Sequence, residues 1–335
     1  CQAGRRYLDM AKDAGIPVIA YDRLLMDSDA VSYYATFDNY KVGTVQGTYV
    51  KEQLDLDNAA SQMEYFLGND QYKDQIVSGT RVGIYYICLN EAIEPLDNVK
   101  VRQALQRSID RQGILDALYS SQGTVENGIF PHGLIGYNPD LPEIPYDLDA
   151  AKELLAEAGY PDGFDMELIF TSDDGQTKKD LLEIVASQWG QIGVNVTLRE
   201  IDDGSFSDMR AAGELEAYQQ SWSADFNDPD NFIYTFFGSR ENTTFRSLCY
   251  PREDVMERVR LARTITDPKE RIQEYRDLER IIVQEDAAWI PLYSRLRGYV
   301  TSERLSGIQS SWNGSVKNMY REMSLDGGDS YTGTR

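Results

Sequence analysis

The chain has 335 residues, 41% hydrophobic and 26% charged, which is typical of a globular protein long enough for two domains. Its 55 acidic residues outnumber 33 basic ones, so the formal charge is -22. Nucleic acids and anionic membranes both attract basic surfaces, so this charge argues against either as a partner and mildly favours cationic or neutral ligands.

The cysteines Cys1, Cys88 and Cys249 form neither a CxxC pair nor a disulfide framework. Cys88 lies in an apolar run and is predicted to be a small buried hydrophobe. Two interpretations of Cys1 stay open: the lipid-bearing residue of a mature bacterial lipoprotein, or the start of a fragment. No stretch reaches the length of a transmembrane helix and no signal peptide is present, so we expect any leader to have been removed.

The first 60 residues alternate between strand and helix patterns. We predict helices over 5–14 and 40–54 and strands over 16–21 and 31–37. This order predicts a parallel sheet, in which ligands bind beyond the carboxyl ends of the strands. Asp22 and Arg23 follow the first strand at that end, where they could grip sugar hydroxyls. The alternative is a surface ion pair.

Two segments of this region, 15–24 (GIPVIAYDRL) and 31–39 (VSYYATFDN), resemble bacterial aldose-binding proteins of the xylose-binding kind. In that family the Asp-Arg pair contacts the sugar. The resemblance therefore implies that Asp22 and Arg23 bind a ligand, and it makes aldose binding an alternative function. The resemblance to the aldose-binding proteins stops near residue 60.

A different pattern follows, after a polar and ambiguous segment over 65–76. We predict a strand over 81–90 and then a helix with Asp97 as N-cap and an apolar face. Further on, Asp147 begins a helix that Gly159 ends, and a capping box with Pro268 at the first helical position begins another. The remaining predicted elements are strands over 166–170, 194–198 and 289–293, a helix over 177–192, and a buried helix face at Ile272, Tyr275, Leu278, Ile281 and Ile282.

The stretch 222–232 (WSADFNDPDNF) places carboxylates between aromatic rings. A ring offers apolar contact and a carboxylate offers a charge-assisted hydrogen bond, which suits a ligand that carries an amine or hydroxyls. The simpler interpretation is an acidic turn, with Pro229 ending a regular element and Asp228 to Asn231 as turn residues.

The region from about residue 80 to 325 resembles the dipeptide/oligopeptide/nickel-binding class of solute receptors for ABC importers. The resemblance is carried by 90–111, by 146–160 (YDLDAAKELLAEAGY), by 189–194 and by 222–232. In peptide receptors of this class, the aspartate of a Trp-x-x-Asp motif takes the peptide's α-ammonium group. This implies Asp225 as the anchor, with Trp222 and Phe226 as further ligand-binding residues. The carboxylate anchor is commonly an arginine, whereas the corresponding helix here carries Lys178 and Lys179.

Catalytic and metal-binding motifs are missing from the sequence. The single histidine, His132, has no zinc-ligand spacing around it and is predicted to be structural. The run from Asp225 fails as a calcium loop because Pro229 takes its fifth position and no glycine its sixth. A carboxylate glycoside hydrolase stays an alternative of another class, although no carboxylate pair is singled out. We therefore predict no metal, no cofactor and no enzymatic activity.

The predicted fold class is α/β: a periplasmic-binding-protein-like lobe with a mixed sheet, preceded by a small βα fragment of a parallel sheet. The predicted parts are a sugar-receptor-like fragment (1–62), a junction with a crossing strand (63–97), a solute-binding lobe (98–290) and a C-terminal return strand with a frayed tail (291–335). The chain thus resembles a fusion of two receptor pieces. We expect a monomeric, extracytoplasmic solute-binding protein, in the periplasm or as a cell-surface lipoprotein. It would bind short peptides or related small solutes and deliver them to the membrane permease of an ABC importer.

Overall fold

The computed structural model describes residues 13–14, 18–21, 31–35, 66, 69–119, 121–301, 305–307 and 324–325. The chain divides into two compact units, Cys1–Gln62 and Met63–Arg335. In the first unit, β1 (Val18–Tyr21) and β2 (Val31–Ala35) pair in parallel, as predicted. Asp22, Arg23 and the predicted helix over 40–54 lie outside the described residues.

A mixed sheet forms the centre of the second unit. Its strands are β3 (Ile76–Thr80), β4 (Gly83–Leu89), β5 (Gly123–Val125), β6 (Phe164–Thr171), β7 (Val194–Ile201), β8 (Ala217–Ser223) and β9 (Trp289–Val300). Their spatial order is β3-β9-β4-β8-β6-β7, with β5 beside β9. β6 is parallel to both β7 and β8, whereas the pairs made by β4 and β9 are antiparallel. The predicted mixed α/β class is therefore confirmed.

Helices cover the sheet and join its strands. They are α1 (Val99–Arg107), α2 (Arg111–Tyr119), α3 (Leu148–Glu157), α4 (Gln176–Gly190), α5 (Asp203–Ala212), α6 (Asp230–Phe237), α7 (Arg240–Phe245), α8 (Glu253–Ala262) and α9 (Pro268–Glu279). A 3-10 helix (Asp70–Gln75) precedes β3, and α9 continues as a π-helix (Arg280–Glu285). A short antiparallel pair, β10 (Leu305–Ser306) and β11 (Ser324–Leu325), follows. Within the described ranges, no helix combines the length and the apolar character that spanning a bilayer requires.

Both faces of β4 are buried, which explains why its sequence is a nearly continuous apolar run. Ile84, Tyr86 and Cys88 face a core that α6, α8 and α9 complete. Ile87 and Leu89 face a second core, completed by α1, α3 and α4. Cys88 is fully buried, as expected.

The helix starts show how far local sequence determines the ends of elements. Asp147 accepts from Ala150 N and Asp267 from Glu270 N, so both predicted N-caps are confirmed. The N-cap predicted at Asp97 is wrong, because it is Asn98 that accepts from Lys100 N. The two neighbours are chemically equivalent as caps, and only the backbone path selects between them. Of the predicted buried face of α9 and its extension, Ile272 is only half-buried.

The turn predicted over Asp228 to Asn231 is partly wrong, because α6 begins at Asp230. The decisive residues are apolar side chains that share one helix face and are buried in the core: Phe232, Ile233, Phe236 and Phe237. Burying this face outweighs the turn preference of the Asp-Asn pair.

Gly163 lies where the loop before β6 crosses the loop before β7. Its φ is +81°, and a Cβ atom there would collide with the carbonyl group of Gly193. We therefore expect Gly163→Ala to reduce the free energy of unfolding by about 2 kcal/mol or more, from backbone strain and steric clash together. Urea unfolding followed by circular dichroism measures this.

Gly190→Ala is the matched control, because a Cβ atom at this last residue of α4 has no neighbour within 4 Å. Its effect should stay within about 1 kcal/mol of zero. Equal unfolding midpoints for the two variants would contradict a structural requirement for glycine at position 163.

Candidate functional site

The candidate site lies at the carboxyl ends of β6 and β8. Because these strands are parallel neighbours, the segments 172–175 and 224–229 leave the sheet at the same edge. β8 also marks a change of direction in the sheet, since β4 on its other side is antiparallel. Ligand sites of open α/β sheets form at such edges.

A buried amide, Asn231, joins Trp222 to Asp225. Its side-chain oxygen accepts from Trp222 Nε1 (3.2 Å) and from Asp225 N (3.0 Å), and its Nδ2 donates to Asp225 Oδ2 (3.3 Å). Asn231 is only 4% exposed, whereas Asp225 is exposed. The carboxylate of Asp225 is therefore held in one orientation while remaining open to solvent.

The neighbouring rings differ in exposure. Trp222 is half-buried, packs edge-to-face on Phe236 with centroids 5.6 Å apart, and has the Arg246 guanidinium 4.9 Å from its centre. Phe226 is 50% exposed and offers free apolar surface beside Asp225. Trp222 thus contributes mainly its fixed position, and Phe226 contributes accessible area.

The other carboxylates of this stretch are already paired. Arg271 donates to both oxygens of Asp228 at 2.8 Å. Burial raises the pKa of Asp228, but the hydrogen bonds from Arg271 and from Asp230 N outweigh it, so the pKa lies below its usual value. Asp230 accepts from Arg263 (3.0 Å) and from Tyr275 (3.1 Å). Within the described residues, no basic side chain pairs with Asp225, which leaves its charge available.

A loop over 126–137 packs against the same stretch. Asn227 accepts from Ile135 N (2.7 Å) and donates to Gly133 O (3.2 Å). In this loop His132 contacts the buried Glu126 through Nδ1 (3.1 Å) and Tyr137 through Nε2 (2.7 Å). The hydrogen bond to Glu126 raises the pKa of His132. Both ring nitrogens are thus used inside the loop.

Glu279, on α9, supports this loop from beneath. It is 1% exposed and accepts from Phe130 N at 2.8 Å, while its Oε2 has no hydrogen-bond partner. Burial raises the pKa of its carboxyl to about 8. The loop beside Asn227 therefore rests on an acid whose neutral form is favoured by burial.

A cavity of about 310 Å³ opens on the face of β8 that carries Ser221, opposite the face that carries Trp222. Its lining residues come from five elements and the turn before α4: Tyr85, Tyr119, Asp174, Gly175, Thr177, Lys178, Leu181, Gln219, Gln220, Ser221 and Arg295. The volume is that of a small ligand-sized cleft.

The cavity combines aromatic surface with positive charge. Tyr85 stacks on Tyr293 with centroids 5.0 Å apart, and Arg295 lies 4.1 Å from the centre of the Tyr119 ring. Lys178 contacts Asp174 at 2.9 Å, whereas Arg295 is exposed and has no carboxylate partner in the described part of the chain. Such a wall can receive an apolar group and an anionic one.

The structure brings three predicted site residues together: Trp222, Asp225 and Phe226. Lys178 lines the cavity, while Lys179 pairs with Glu200 at 3.2 Å. Asn231 was not identified as a site residue from the sequence. The signal that could have found it is a polar residue at the start of an apolar helix face. The cavity tyrosines and Arg295 were not identified either, and the chain offers no local signal for them. Across the described ranges, no cluster of three or more His, Cys, Asp or Glu could hold a metal ion.

The family model for bacterial extracellular solute-binding proteins, family 5 Middle, matches residues 44–244. The chain belongs to this family. The predicted resemblance to the peptide-receptor class is thereby confirmed. A second model, for a periplasmic binding protein domain, matches residues 1–79 of the family 5 chain. It does not distinguish sugar receptors of the xylose kind, so that resemblance stays a prediction.

Relatives of this family 5 protein include heme-binding protein A of Haemophilus influenzae, 31% identical over 69% of this chain and 44% of the relative. The dipeptide-binding protein of Escherichia coli is 29% identical over 66% of this chain and 43% of the relative. The chain thus spans less than half the length of these two relatives.

Solved structures agree with the fold of the family 5 protein. HbpA2 from Haemophilus parasuis has a TM-score of 0.73 at 25% identity, over 96% of this chain and 68% of that chain. A dipeptide binding protein from Pseudoalteromonas sp. SM9913, in complex with Met-Leu, has a TM-score of 0.68 at 24% identity, over 87% of this chain and 57% of that chain.

Replacing Asn231 of the family 5 protein tests the link between Trp222 and Asp225. Asn231→Leu leaves the indole N–H and the Asp225 backbone N–H unpaired, so we expect the free energy of unfolding to fall by about 2 kcal/mol. Asn195→Leu on β7 is the control, because within the described residues its side-chain amide bonds only to exposed Asp165, and its loss should cost less than about 0.5 kcal/mol. Denaturant unfolding compares the two variants. Equal losses would show that the Asn231 hydrogen bonds are energetically negligible.

Glu279 makes the stability of the family 5 protein depend on pH. Its folded-state pKa, about 8, lies above the ordinary 4.5, so its contribution is complete below pH 4.5 and is lost as pH rises through 8. Glu279→Gln should therefore be more stable than the wild type by roughly 5 kcal/mol at pH 9, with the advantage gone at pH 4.5. Unfolding free energies across this range measure the difference.

Glu183→Gln removes the same charge from the exposed surface of α4 and controls for net charge. A stability difference between Glu279→Gln and the wild type that stays constant with pH would contradict a raised pKa at Glu279.

Proposed function

We propose that the chain is the extracytoplasmic solute-binding component of an ABC importer, with a short peptide or a related small solute as its ligand. The observation that carries this proposal is the carboxylate of Asp225. It is exposed, oriented by the buried Asn231, and without a basic partner in the described residues, although Asp228 and Asp230 beside it are both paired. An ammonium group is the natural partner for such a carboxylate.

The cavity could bind the other end of such a peptide, its carboxylate. Ser221 lines it and stands four residues before Asp225, a separation of at most about 13 Å along an extended strand. A peptide of three or four residues spans this distance. Its ammonium group would bind Asp225 and its carboxylate would approach Lys178 and Arg295. Phe226 and Tyr85 would contact its side chains.

The names of the relatives support binding rather than catalysis, since they are called heme-binding, dipeptide-binding and glutathione-binding proteins. We accordingly propose a non-enzymatic receptor without a cofactor. The family description, extracellular solute-binding proteins, supports a location outside the cytoplasm. A membrane permease as partner and a monomeric state are further parts of the proposal.

Isothermal titration calorimetry with free and N-acetylated tri- and tetrapeptides tests the role of Asp225. We expect Asp225→Asn to weaken binding of free peptides by about 10-fold to 100-fold, because a charge-assisted hydrogen bond is lost. N-acetylated peptides should bind the wild type weakly and should lose nothing further in the variant. Asp162→Asn, with the same charge change at the opposite edge of the sheet, should bind like the wild type.

Equal losses for free and acetylated peptides would contradict an ammonium contact at Asp225. No binding across the peptide panel, together with a raised melting temperature in xylose, arabinose or glucose, would favour the aldose alternative at Asp22 and Arg23. The second family match, over residues 1–79, is the observation that keeps this alternative open. Turnover of chromogenic glycosides would instead favour a glycoside hydrolase.

A further inference from the structure

Two arginines, Arg210 and Arg246, have no acidic partner in the described residues. The Arg246 guanidinium packs on Phe236, 4.2 Å from the ring centre, and on Trp222, and its Nε donates to Thr235 O at 3.1 Å. The Arg210 guanidinium lies 5.7 Å from the centre of the Phe245 ring. Its Nε is buried and has no hydrogen-bond partner.

Arg210 and Arg246 lie on segments that contact each other. Arg210 is on α5 and Arg246 directly follows α7, and these segments are joined by a hydrogen bond from Ser247 Oγ to Arg210 O (3.0 Å). Phe245, the residue before Arg246, is the ring under Arg210. Burial raises the pKa of the Cys88 thiol to about 12, and both arginines act against that rise. Both guanidinium charges therefore act on the same buried thiol, that of Cys88.

A shortage of acidic residues does not explain the missing partner, because the chain carries a formal charge of -22. Other arginines of this unit, such as Arg258 and Arg271, have carboxylates at 2.8 Å. Half-buried guanidinium groups on two contacting segments are unfavourable without a counter-ion. A bound anion would offset this cost and could satisfy the buried Nε of Arg210.

We propose that Arg210 and Arg246 form a binding site for an oxyanion, a carboxylate or a phosphate, on the side of Trp222 away from the Tyr85 cavity. The site is distinct from Asp225, which suits a cation. Because Arg246 packs directly on the indole, its occupation is linked to the position of Trp222.

Thermal unfolding and intrinsic fluorescence of the whole chain test the site at pH 7. Sodium phosphate or sodium acetate is titrated against sodium chloride of equal ionic strength. We expect one of the two anions to raise the melting temperature by about 3 °C at tens of millimolar and to change tryptophan emission with saturation. Phosphate acting alone identifies a phosphate site, and acetate acting alone a carboxylate site.

Arg246→Gln and Arg210→Gln should abolish both responses, whereas Arg199→Gln, an exposed arginine paired with Glu167 on the strand surface, should retain them. If Arg246→Gln does not fold, Arg210→Gln decides, since the Arg210 guanidinium lies farther from its ring (5.7 Å from Phe245) than that of Arg246 does (4.2 Å from Phe236). No saturable response of the wild type to either anion would overturn the proposal. An unchanged response in folded Arg210→Gln would do the same.

Discussion

The pairing of β8, antiparallel to β4 on one side and parallel to β6 on the other, is the constraint on which the candidate site depends. It brings the segments after β6 and β8 to one edge. It also fixes which way neighbouring side chains point, because Ser221 pairs with Tyr85 and Trp222 with Ile84 on opposite faces of the sheet. Asp225, two residues beyond the end of β8, lies at the edge between these faces. One strand thereby organises both the aromatic cavity and the carboxylate.

Buried polar groups then fix the orientation of the side chains that β8 brings to this edge. Asn231 could be an apolar residue as far as the packing of α6 is concerned, yet its amide makes three hydrogen bonds that orient Trp222 and Asp225. Glu279 likewise takes a place in the core where a carboxyl group is costly, and it holds the loop that contacts Asn227. Such groups lower stability unless they are fully satisfied, so their concentration around one stretch is what a positioned site requires.

Much of the fold follows from local pattern. The apolar run of β4, the caps at Asp147 and Asp267 and the periodicity of α4 each depend on residues close in sequence, and each was predictable. The site was predictable only where its residues are also neighbours, as Trp222, Asp225 and Phe226 are. Tyr85, Tyr119 and Arg295 meet only because β9 returns between β3 and β4, and no local pattern specifies this strand order. The start of α6 was misassigned because Asp and Asn serve turns and helix starts equally well, and only the packing of Phe232 and Phe236 decides.

Charge pairing is the property that singles out functional groups in this acidic chain. With 55 acidic residues, an unpaired carboxylate would ordinarily mean little. It gains meaning beside Asp228 and Asp230, which the fold supplies with Arg271 and Arg263 while it leaves Asp225 open. The converse holds for Arg246, which packs on Trp222, and for Arg210, because neither has an acidic partner in the described residues although acids are abundant. Among many charged side chains, the unpaired ones are therefore those that the fold leaves open to a ligand.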